Sequence, residues 1–459
     1  MKILSTLLLL ACGVAQAAPA PDLSVQPGAF WTGQTGLVAP QTVAAADTLR
    51  FDSLAALTDY ALRHRAESRA AWLGIQGEAA RLDAASAANW PTLTGQINFT
   101  RSQALSSSGA SVPVLHRYGP SLSLAYTLYD FGARAAGIDA QRYQLIASLL
   151  THNRVLQGIV NEVETAWFAL LAARARVAAQ TEQVTALQTS LDAVDARLQG
   201  GLVSRADQLR ARAAVAEAQL ARAAAERDQA KADATLKQAA GVAQTRTLVL
   251  DWQALPEADL DTATLLADLL QEAERQRPDL QALRAAAARA QSEAARARAA
   301  RWPSLALTAN VGRTYFLEDG RSPGTTNNVG LSLTLPLFDG GRLAAEARAA
   351  GRDAERFEAE AEAQQQSVTL EVTQAYEDAR YTQSARAGIA LQFDSALESA
   401  QAAEARYKAG VGSLLEWLTA QADLARARQA RAQADSDWLA AFSRLNHALG
   451  RLPAPLSER

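Results

Sequence analysis

Four short segments of this chain alternate apolar and polar residues with a period of two. In the first segment Leu93, Ile97 and Phe99 occupy one face, whereas the opposite face carries polar residues such as Gln96 and Asn98. Successive side chains of a β-strand point to opposite faces, so this pattern predicts strands. We predict four of them, at about residues 92–105, 119–129, 304–316 and 327–338.

The predicted strands have the length of membrane-spanning strands. Each covers about 10 residues, which is enough to cross a bilayer when the strand is tilted. The same alternation also suits a half-buried strand of a soluble protein, so the pattern alone does not decide between the two. The rest of the chain offers no second layer to cover the apolar faces, and this favours lipid.

Four strands are too few to form a membrane barrel alone, because the smallest such barrels have about eight. In lipid every backbone polar group needs a partner, so the sheet must close. Three copies of the chain would supply twelve strands to one shared barrel. This closure requirement predicts a homotrimer.

Two long stretches without proline predict long helices. Proline is absent from residues 121–255 and 337–452, which are rich in Ala, Glu, Gln, Arg and Leu. Proline costs about 3 kcal/mol inside a helix, so its absence over such lengths favours continuous helices. Glycines near the middle of each stretch allow the chain to reverse. We therefore predict helical hairpins over residues 132–240 and 341–449, with a coiled-coil seam along each returning helix.

The strands and hairpins occur twice because the chain contains an internal duplication. Residues 122–130 (LSLAYTLYD) resemble residues 331–339 (LSLTLPLFD), and 339 − 130 = 209. The hairpin turns at 201–207 and 410–416 have the same offset, whereas the earlier Trp-Pro pairs differ by 302 − 90 = 212. Two anchors with one offset identify a repeat, and three residues are lost between the copies in a loop.

The N-terminus has the layout of a secretory signal. Residues 1–17 contain one cation, Lys2, then an apolar run and the small-residue motif Ala-Gln-Ala. The alternative is a lipoprotein signal that is cleaved before Cys12. The remaining divisions are an N-terminal periplasmic segment at 18–50, a first repeat at 51–261 that opens with a helix and ends in an equatorial segment at 241–261, a second repeat at 262–450, and a C-terminal tail at 451–459.

Composition argues against several classes of function. The chain has 45 Lys and Arg against 48 Asp and Glu, a formal net charge of −3, so no strong field favours nucleic acid. Beyond the signal, no apolar run reaches the length of about 18 residues that a membrane-spanning helix needs. The single Cys lies in the signal, and the four His residues show no ligand spacing. We expect no metal site, no cofactor and no enzymatic activity.

Several motifs resemble those of the TolC family of outer-membrane efflux and secretion channels. They are Arg-Pro-Asp-Leu at 277–280, Ala-Ala-Arg-Trp-Pro-Ser-Leu at 299–305, Leu-Phe-Asp-Gly-Gly at 337–341 and the two hairpin turns. The first copy departs from the pattern, since Arg65 is followed by Ala66 rather than by proline. The resemblance extends over essentially the whole mature chain.

The resemblance implies an architecture and a function. The fold would be mostly α with a small β part, in which coiled-coil hairpins form a periplasmic tunnel and four strands per chain contribute to a twelve-stranded trimeric barrel. Such a channel lies in the outer membrane of a Gram-negative bacterium and has a long periplasmic portion. Its partners are a periplasmic adaptor and an inner-membrane pump. It would be the exit duct of a tripartite efflux or type I secretion system.

The resemblance also assigns roles to residues near the hairpin turns. Three copies of Glu416 would ring the periplasmic constriction, where Thr419 replaces a second acidic residue of the family. The alternative for Glu416 is an exposed carboxylate near a helix N-terminus, where the helix dipole favours it. Asp207 and Tyr407 would be gate contacts that tie neighbouring hairpins together. Gly412 stands where the family has an arginine. The candidate substitutes are Arg205, Arg210 and Lys408.

The two hairpin turns would meet the adaptor. Turn chemistry alone also accounts for the glycines and serines there, and we expect both roles to be present. The residues of the two turns are Gly201, Leu202, Val203, Ser204, Gly410, Val411, Gly412 and Ser413.

Two other classes of protein share some of these features. A periplasmic adaptor also has a long helical hairpin, but a single one flanked by compact β domains. A structural coiled-coil protein of the envelope would explain the helices but not the strands. The sequence does not identify the exported substrate, which is a drug, a metal ion or a protein in channels of this kind.

Overall fold

The computed structural model describes residues 48–103, 114–251, 265–318 and 320–451. The chain divides into two compact units, and the first contributes only residues 48–49 and 245–247 to the described part. All other described residues belong to the second unit. The predicted signal, Cys12, most of the segment at 18–50 and residues 452–459 of the tail lie outside the described residues.

Long helices dominate the described ranges, with a smaller set of strands. The helices are α1 Leu54–His64, α2 Ala66–Ser86, α3 Ala133–Gln199, α4 Arg205–Ala239, α5 Leu266–Gln276, α6 Pro278–Ala299, α7 Arg342–Lys408 and α8 Leu414–Leu449. The strands are β1 Thr48–Phe51, β2 Thr92–Ser102, β3 Leu115–Tyr129, β4 Thr247–Leu250, β5 Ser304–Phe316 and β6 Gly324–Thr334.

The four longest strands form one antiparallel sheet in the order β2-β3-β5-β6. β2 pairs with β3 from Thr92 opposite Ala125 to Ser102 opposite Leu115. β5 pairs with β6, starting with Ser304 opposite Thr334. The central pair is β3 with β5, so the sheet joins the two repeats. β1 and β4 form a separate two-stranded sheet.

Large apolar side chains of this sheet are uncovered. The exposed fraction is 83% for Ile97 on β2 and 76% for Val329 on β6. The other exposed apolar residues on these two strands are Leu93, Phe99, Leu331 and Leu333. β2 and β6 are also the edges of the sheet, so each has one row of backbone groups without a neighbouring strand. A single chain therefore completes neither the hydrogen bonding nor the burial of this sheet.

Two strand boundaries differ from the sequence prediction. β3 begins at Leu115 rather than at 119, because residues 115–118 pair with the end of β2 although they lack clean alternation. β6 extends over Gly324–Thr334 rather than 327–338. Pro336 has no backbone N–H to donate to a ladder, so the strand ends before it. The predicted end of the first strand, 104–105, lies outside the described residues.

The outgoing helices of the two repeats match residue for residue. α3 and α7 each have 67 residues, which corresponds to about 100 Å at 1.5 Å per residue. Gly132, with φ 87°, precedes α3, and Gly341, with φ 86°, precedes α7, where 341 − 132 = 209. The returning helices α4 and α8 begin at Arg205 and Leu414, again 209 residues apart. The offset found in the sequence is thus preserved in three dimensions.

Small apolar residues bring the helices together. α3 packs against α4 and α8, and α7 packs against α8. Near the hairpin turns both hairpins contribute to one buried apolar cluster, here called the tip cluster. It contains Val194, Ala211, Ala400, Ala403, Tyr407, Leu414, Trp417, Ala420 and Leu424. Among the described helices, none has both the length and the apolar character to cross a membrane.

Candidate functional site

The first hairpin turn is closed by its own backbone and by a capping box. Gly201 has φ 73°, and the next backbone N–H, that of Leu202, donates to the carbonyl of Arg197 at 2.9 Å. Ser204 then caps α4, because its hydroxyl accepts from the backbone N–H of Asp207 at 3.2 Å. The Asp207 carboxylate in turn accepts from the backbone N–H of Ser204 at 3.2 Å. Both ends of the turn are therefore fixed locally.

The second turn is closed in a similar way. Gly410 has φ 79°, and the backbone N–H groups of Val411 and Gly412 both donate to the carbonyl of Arg406 at 3.0 Å. Ser413 caps α8 through the backbone N–H of Glu416 at 3.1 Å. A Cβ at Gly412 would lie 3.0 Å from the Cβ of Arg406 and 3.1 Å from its carbonyl carbon. The chain passes so close to the end of α7 that only glycine fits without a shift.

Both turns expose apolar side chains. Leu202 of the first turn is 77% exposed, and Val411 of the second is 71% exposed. Leu415, in the first turn of α8, is also exposed. These three side chains are candidates for a surface that binds another protein, which typically carries a contiguous apolar patch. Turn chemistry does not require them, since the glycines and serines alone close these turns.

Glu416 is exposed and has a cationic neighbour in its own hairpin. Its carboxylate lies 3.4 Å from Nη1 of Arg406, the residue that also accepts the turn hydrogen bonds. Thr419, one turn further along α8, is exposed as well. The placement of three such carboxylates around one axis depends on other copies of the chain. Their role in a constriction therefore stays a prediction.

Asp207 is used by its own helix. The hydroxyl and backbone N–H of Ser204 hold the pKa of this carboxyl below its usual value, and the charge of Arg210, 3.6 Å away, adds to the effect. Lys408, another candidate for the missing arginine, pairs with Glu404 on its own helix at 2.5 Å. Arg210 therefore lies close to Asp207, one of the predicted gate residues, whereas Lys408 forms an ion pair within α7.

Tyr407 is buried in the tip cluster, and its hydroxyl forms no hydrogen bond with Asp207. Its ring stacks on Trp417 with the centroids 4.9 Å apart. Neither the hydroxyl of Tyr407 nor the indole N–H of Trp417 has a hydrogen-bond partner among the described residues. A buried polar group without a partner costs about 1–3 kcal/mol. Within one chain, the structure therefore does not bring the two predicted gate residues into hydrogen-bond contact.

Arg197 was not identified from the sequence, yet it joins the two hairpins. It lies near the end of α3, and its guanidinium donates to the carbonyl of Tyr407 at 3.2 Å and to that of Lys408 at 3.3 Å. The guanidinium carbon also lies 4.4 Å from the centroid of the Tyr407 ring. Its repeat position could have signalled it, because 406 − 197 = 209 makes Arg406 its counterpart. Arginine near helix C-termini is suited to the last carbonyls of a helix.

A second group of charges lies where the second returning helix ends, and the sequence motif Arg-Pro-Asp-Leu belongs to it. Arg277 forms ion pairs with Asp279 and Glu371, each at 2.5 Å, and donates to the carbonyl of Ala448 at 3.2 Å. Arg154 lies 3.7 Å from Glu371. These residues, here called the second arginine network, tie the end of α8 to the middle of α7.

The first repeat has an equivalent, here called the first arginine network. Arg65 pairs with Glu67 at 2.6 Å and with Glu162, and it donates to the carbonyl of Ala239 at 3.3 Å. The positions correspond one by one, with 277 − 65 = 212 for the arginines and 371 − 162 = 209 for the carboxylates. The missing proline after Arg65 does not abolish the contact. In each repeat, an arginine outside the hairpin therefore joins the end of the returning helix to the middle of the outgoing helix.

Burial shifts the ionisation of the second arginine network. Burial acts to raise the pKa of Asp279, but the hydrogen bonds and charge of Arg277 outweigh it, so the pKa lies below its usual value. Burial and the positive charge of Arg154 lower the pKa of His447 to about 4. His447 is therefore neutral at physiological pH. Its backbone carbonyl accepts from Arg154 at 3.0 Å.

Two known proteins have sequences similar to that of this chain. Protein CyaE of Bordetella pertussis is 30% identical over 384 residues, which cover 83% of this chain and 80% of that protein. Outer membrane protein OprJ of Pseudomonas aeruginosa is 28% identical over 435 residues, or 90% of this chain and 88% of the relative. Each match therefore extends over most of this chain and most of the relative.

A solved structure shows the same fold. The open state of the Neisseria gonorrhoeae MtrE outer membrane channel superposes with a TM-score of 0.75 at 24% identity, covering 87% of this chain and 89% of MtrE. The fold expected from the sequence, mostly α with a small β part, is confirmed. Residues 57–242 and 269–451, one range in each repeat, match the outer membrane efflux protein family. The chain belongs to this family of TolC-like outer-membrane channels.

Proposed function

We propose that three copies of this chain form the outer-membrane exit duct of a tripartite efflux or type I secretion system. The observation that carries the proposal is the four-stranded sheet, which has two unpaired edges and an uncovered apolar face. Family membership makes the chain an efflux protein of the outer membrane. The trimer, the adaptor and the pump are the parts that the proposal adds.

The strand order supports closure by identical copies. Neighbouring strands are antiparallel throughout the order β2-β3-β5-β6, so β2 and β6 run in opposite directions. β6 of one copy can therefore pair with β2 of the next in the antiparallel sense of the other pairs. Three copies give twelve strands, above the minimum of about eight for a membrane barrel. The exposed apolar residues of β2 and β6 would then face lipid.

The helices supply the rest of the duct. Each outgoing helix extends about 100 Å from the sheet, which at 1.5 Å per residue is far more than a bilayer needs. The hairpin turns at the far end expose Leu202 and Val411, and we assign this surface to the adaptor. Glu416 on three copies would favour cations and oppose anions at the narrow end. A single-hairpin adaptor and a purely coiled-coil envelope protein both lack such a sheet.

Cysteine cross-linking tests the closure. One cysteine is placed in β2 at Gln96, Asn98 or Thr100 and a second in β6 at Asn328 or Gly330. Oxidation in membranes is expected to give covalent dimers and trimers but nothing larger. The matched control pair, Ser123 and Asn310, lies opposite in β3 and β5 of one chain and should join without raising the mass. If all edge pairs leave only monomers, the proposed assembly is wrong.

A further inference from the structure

Two arginines at equivalent positions of the repeat have different contacts. Arg406, near the end of α7, pairs with Glu416 across its own turn at 3.4 Å. The same pattern in the first repeat would pair Arg197 with Asp207, but Asp207 is occupied by the cap of α4. Arg197 instead crosses to the second hairpin. One arginine thus acts within a hairpin and the other between hairpins.

The contact made by Arg197 has three components. Both terminal nitrogens donate to the carbonyl of Tyr407, and one of them also donates to that of Lys408. Those carbonyls lie at the C-terminus of α7, where the helix dipole favours a cation. The guanidinium carbon lies 4.4 Å from the Tyr407 centroid, within the range of a cation–π interaction. Separation of the two hairpins at the turns would break all three components.

The aromatic pair beneath Arg197 acts in the opposite direction. The Tyr407 hydroxyl and the Trp417 indole N–H are buried, and neither has a hydrogen-bond partner among the described residues. Both groups would gain hydrogen bonds to water if the tip cluster opened. The packed arrangement therefore contains groups that favour separation, and Arg197 supplies polar contacts that oppose it.

We propose that Arg197 is the residue that holds the two hairpins of each chain together at the tip, and that the Tyr407 hydroxyl does not contribute to this closure. The inference rests on the proposed function and adds that the periplasmic end of the duct opens when the two hairpins separate. It differs from the lock that the family resemblance implies. That lock would need the Tyr407 hydroxyl as a hydrogen-bonding group.

Resting conductance in planar bilayers tests the proposal on the full-length mature protein. Arg197→Ala is expected to raise the open population by about tenfold, the ratio that corresponds to one lost hydrogen bond to a charged group. Arg406→Ala is the matched control and should not raise the open population, because the described partner of the Arg406 side chain, Glu416, lies in its own hairpin. Arg197→Lys should restore part of the closure, since lysine keeps the charge but lacks the planar fork.

Tyr407→Phe separates the two mechanisms. This variant keeps the ring and its stacking but removes the unpaired hydroxyl, so we expect a duct that is as closed as the wild type or more tightly closed. An open Tyr407→Phe channel would show that the hydroxyl is the lock. A closed Arg197→Ala channel, or an Arg406→Ala channel that is equally open, would also overturn the proposal.

The proposal and the assignment of the duct fail in different ways. If wild-type protein inserts and forms closed channels that Arg197→Ala does not open, the duct stands and only the role of Arg197 is rejected. If wild-type protein and all variants form neither trimers nor channels, the proposed function itself is wrong.

Discussion

The two arginine networks have the same bonds in different surroundings. Arg277 is almost completely buried, with a side chain 2% exposed, and it lies between two carboxylates that are also partly covered. The Arg65 side chain is 11% exposed, and its partners Glu67 and Glu162 are more than half exposed. The arginine–carboxylate contacts are present in both repeats, but the arginine is almost completely buried only in the second repeat. The same ion pairs should therefore stabilise the two hairpins unequally.

Removal of each arginine measures this inequality, and we expect the largest effect here. Arg277→Ala removes the buried partner of two carboxylates and leaves them with Arg154, and the loss of one member of a buried ion pair costs about 3–5 kcal/mol. Arg65→Ala removes a more solvated contact, for which we expect about 1 kcal/mol. Thermal unfolding of the detergent-solubilised protein, followed by circular dichroism, compares the two variants. Equal losses would show that burial does not distinguish the networks.

The pH dependence of stability tests the same difference in burial, because His447 lies near the second arginine network and can titrate. Its pKa is lowered to about 4 by burial and by Arg154, whereas the unfolded value is 6.5. Between pH 6.5 and pH 4 the unfolded chain therefore binds a proton at His447 more readily than the folded protein does. The free energy of unfolding thus loses nothing through His447 above pH 6.5 and decreases as the pH falls towards 4. The equivalent residue of the first repeat is Gln238, since 447 − 209 = 238, and it does not titrate.

The measurement is the unfolding temperature of wild type and His447→Gln at pH 7.5 and pH 5. We expect the variant to lose less stability between these pH values than the wild type does. Identical losses in both proteins would contradict the link between His447 and acid sensitivity.

The hairpin turns differ at two positions, Leu202 against Val411 and Val203 against Gly412, and the second difference affects the backbone. Gly412→Val would force a Cβ against Arg406, and such overpacking costs about 1–3 kcal/mol. Val203→Gly should cost less, because the first turn needs no such close approach. Proteolysis at the turns compares the two variants. Equal sensitivity would mean that the close passage at Gly412 does not constrain the turn.

Substitutions of Glu416 and Asp207 compare the effects of the two turns on ion selectivity rather than on stability. Glu416→Gln should reduce the preference for cations, because an exposed carboxylate is lost from the predicted constriction. Asp207→Asn should change it less, since that carboxylate is tied to the cap of α4. Reversal potentials in a salt gradient give the selectivity. An unchanged value for Glu416→Gln would remove this residue from the constriction.

The elements of this fold could be read from the sequence because their patterns are long and repeated. Proline-free stretches predicted both hairpins, and alternation located all four strands of the sheet. The end of β6 was misplaced because the apolar alternation continues through Leu335 and Leu337, although Pro336 cannot donate to a ladder. The alternation of apolar and polar residues shows which side chains can share a face of a strand. It does not show which backbone groups form hydrogen bonds.

The contacts of the site were harder to foresee. The turns follow from local glycine and serine chemistry, so Gly201, Ser204, Gly410 and Ser413 could be located in advance. Arg197 meets Tyr407 across 210 residues of sequence, and Arg277 meets Glu371 across 94. No local pattern specifies such pairs. Alignment of the two repeats would have shown that these arginines occur at equivalent positions. It would not have shown that Arg197 and Arg406 have different partners.

The mass of the detergent-solubilised mature protein, with the detergent contribution subtracted, decides whether three chains share one barrel. We expect a particle of three chains that requires detergent to stay in solution. A single chain that remains soluble without detergent would contradict it, because the open edges of β2 and β6 and their apolar side chains would then need neither copies of the chain nor lipid.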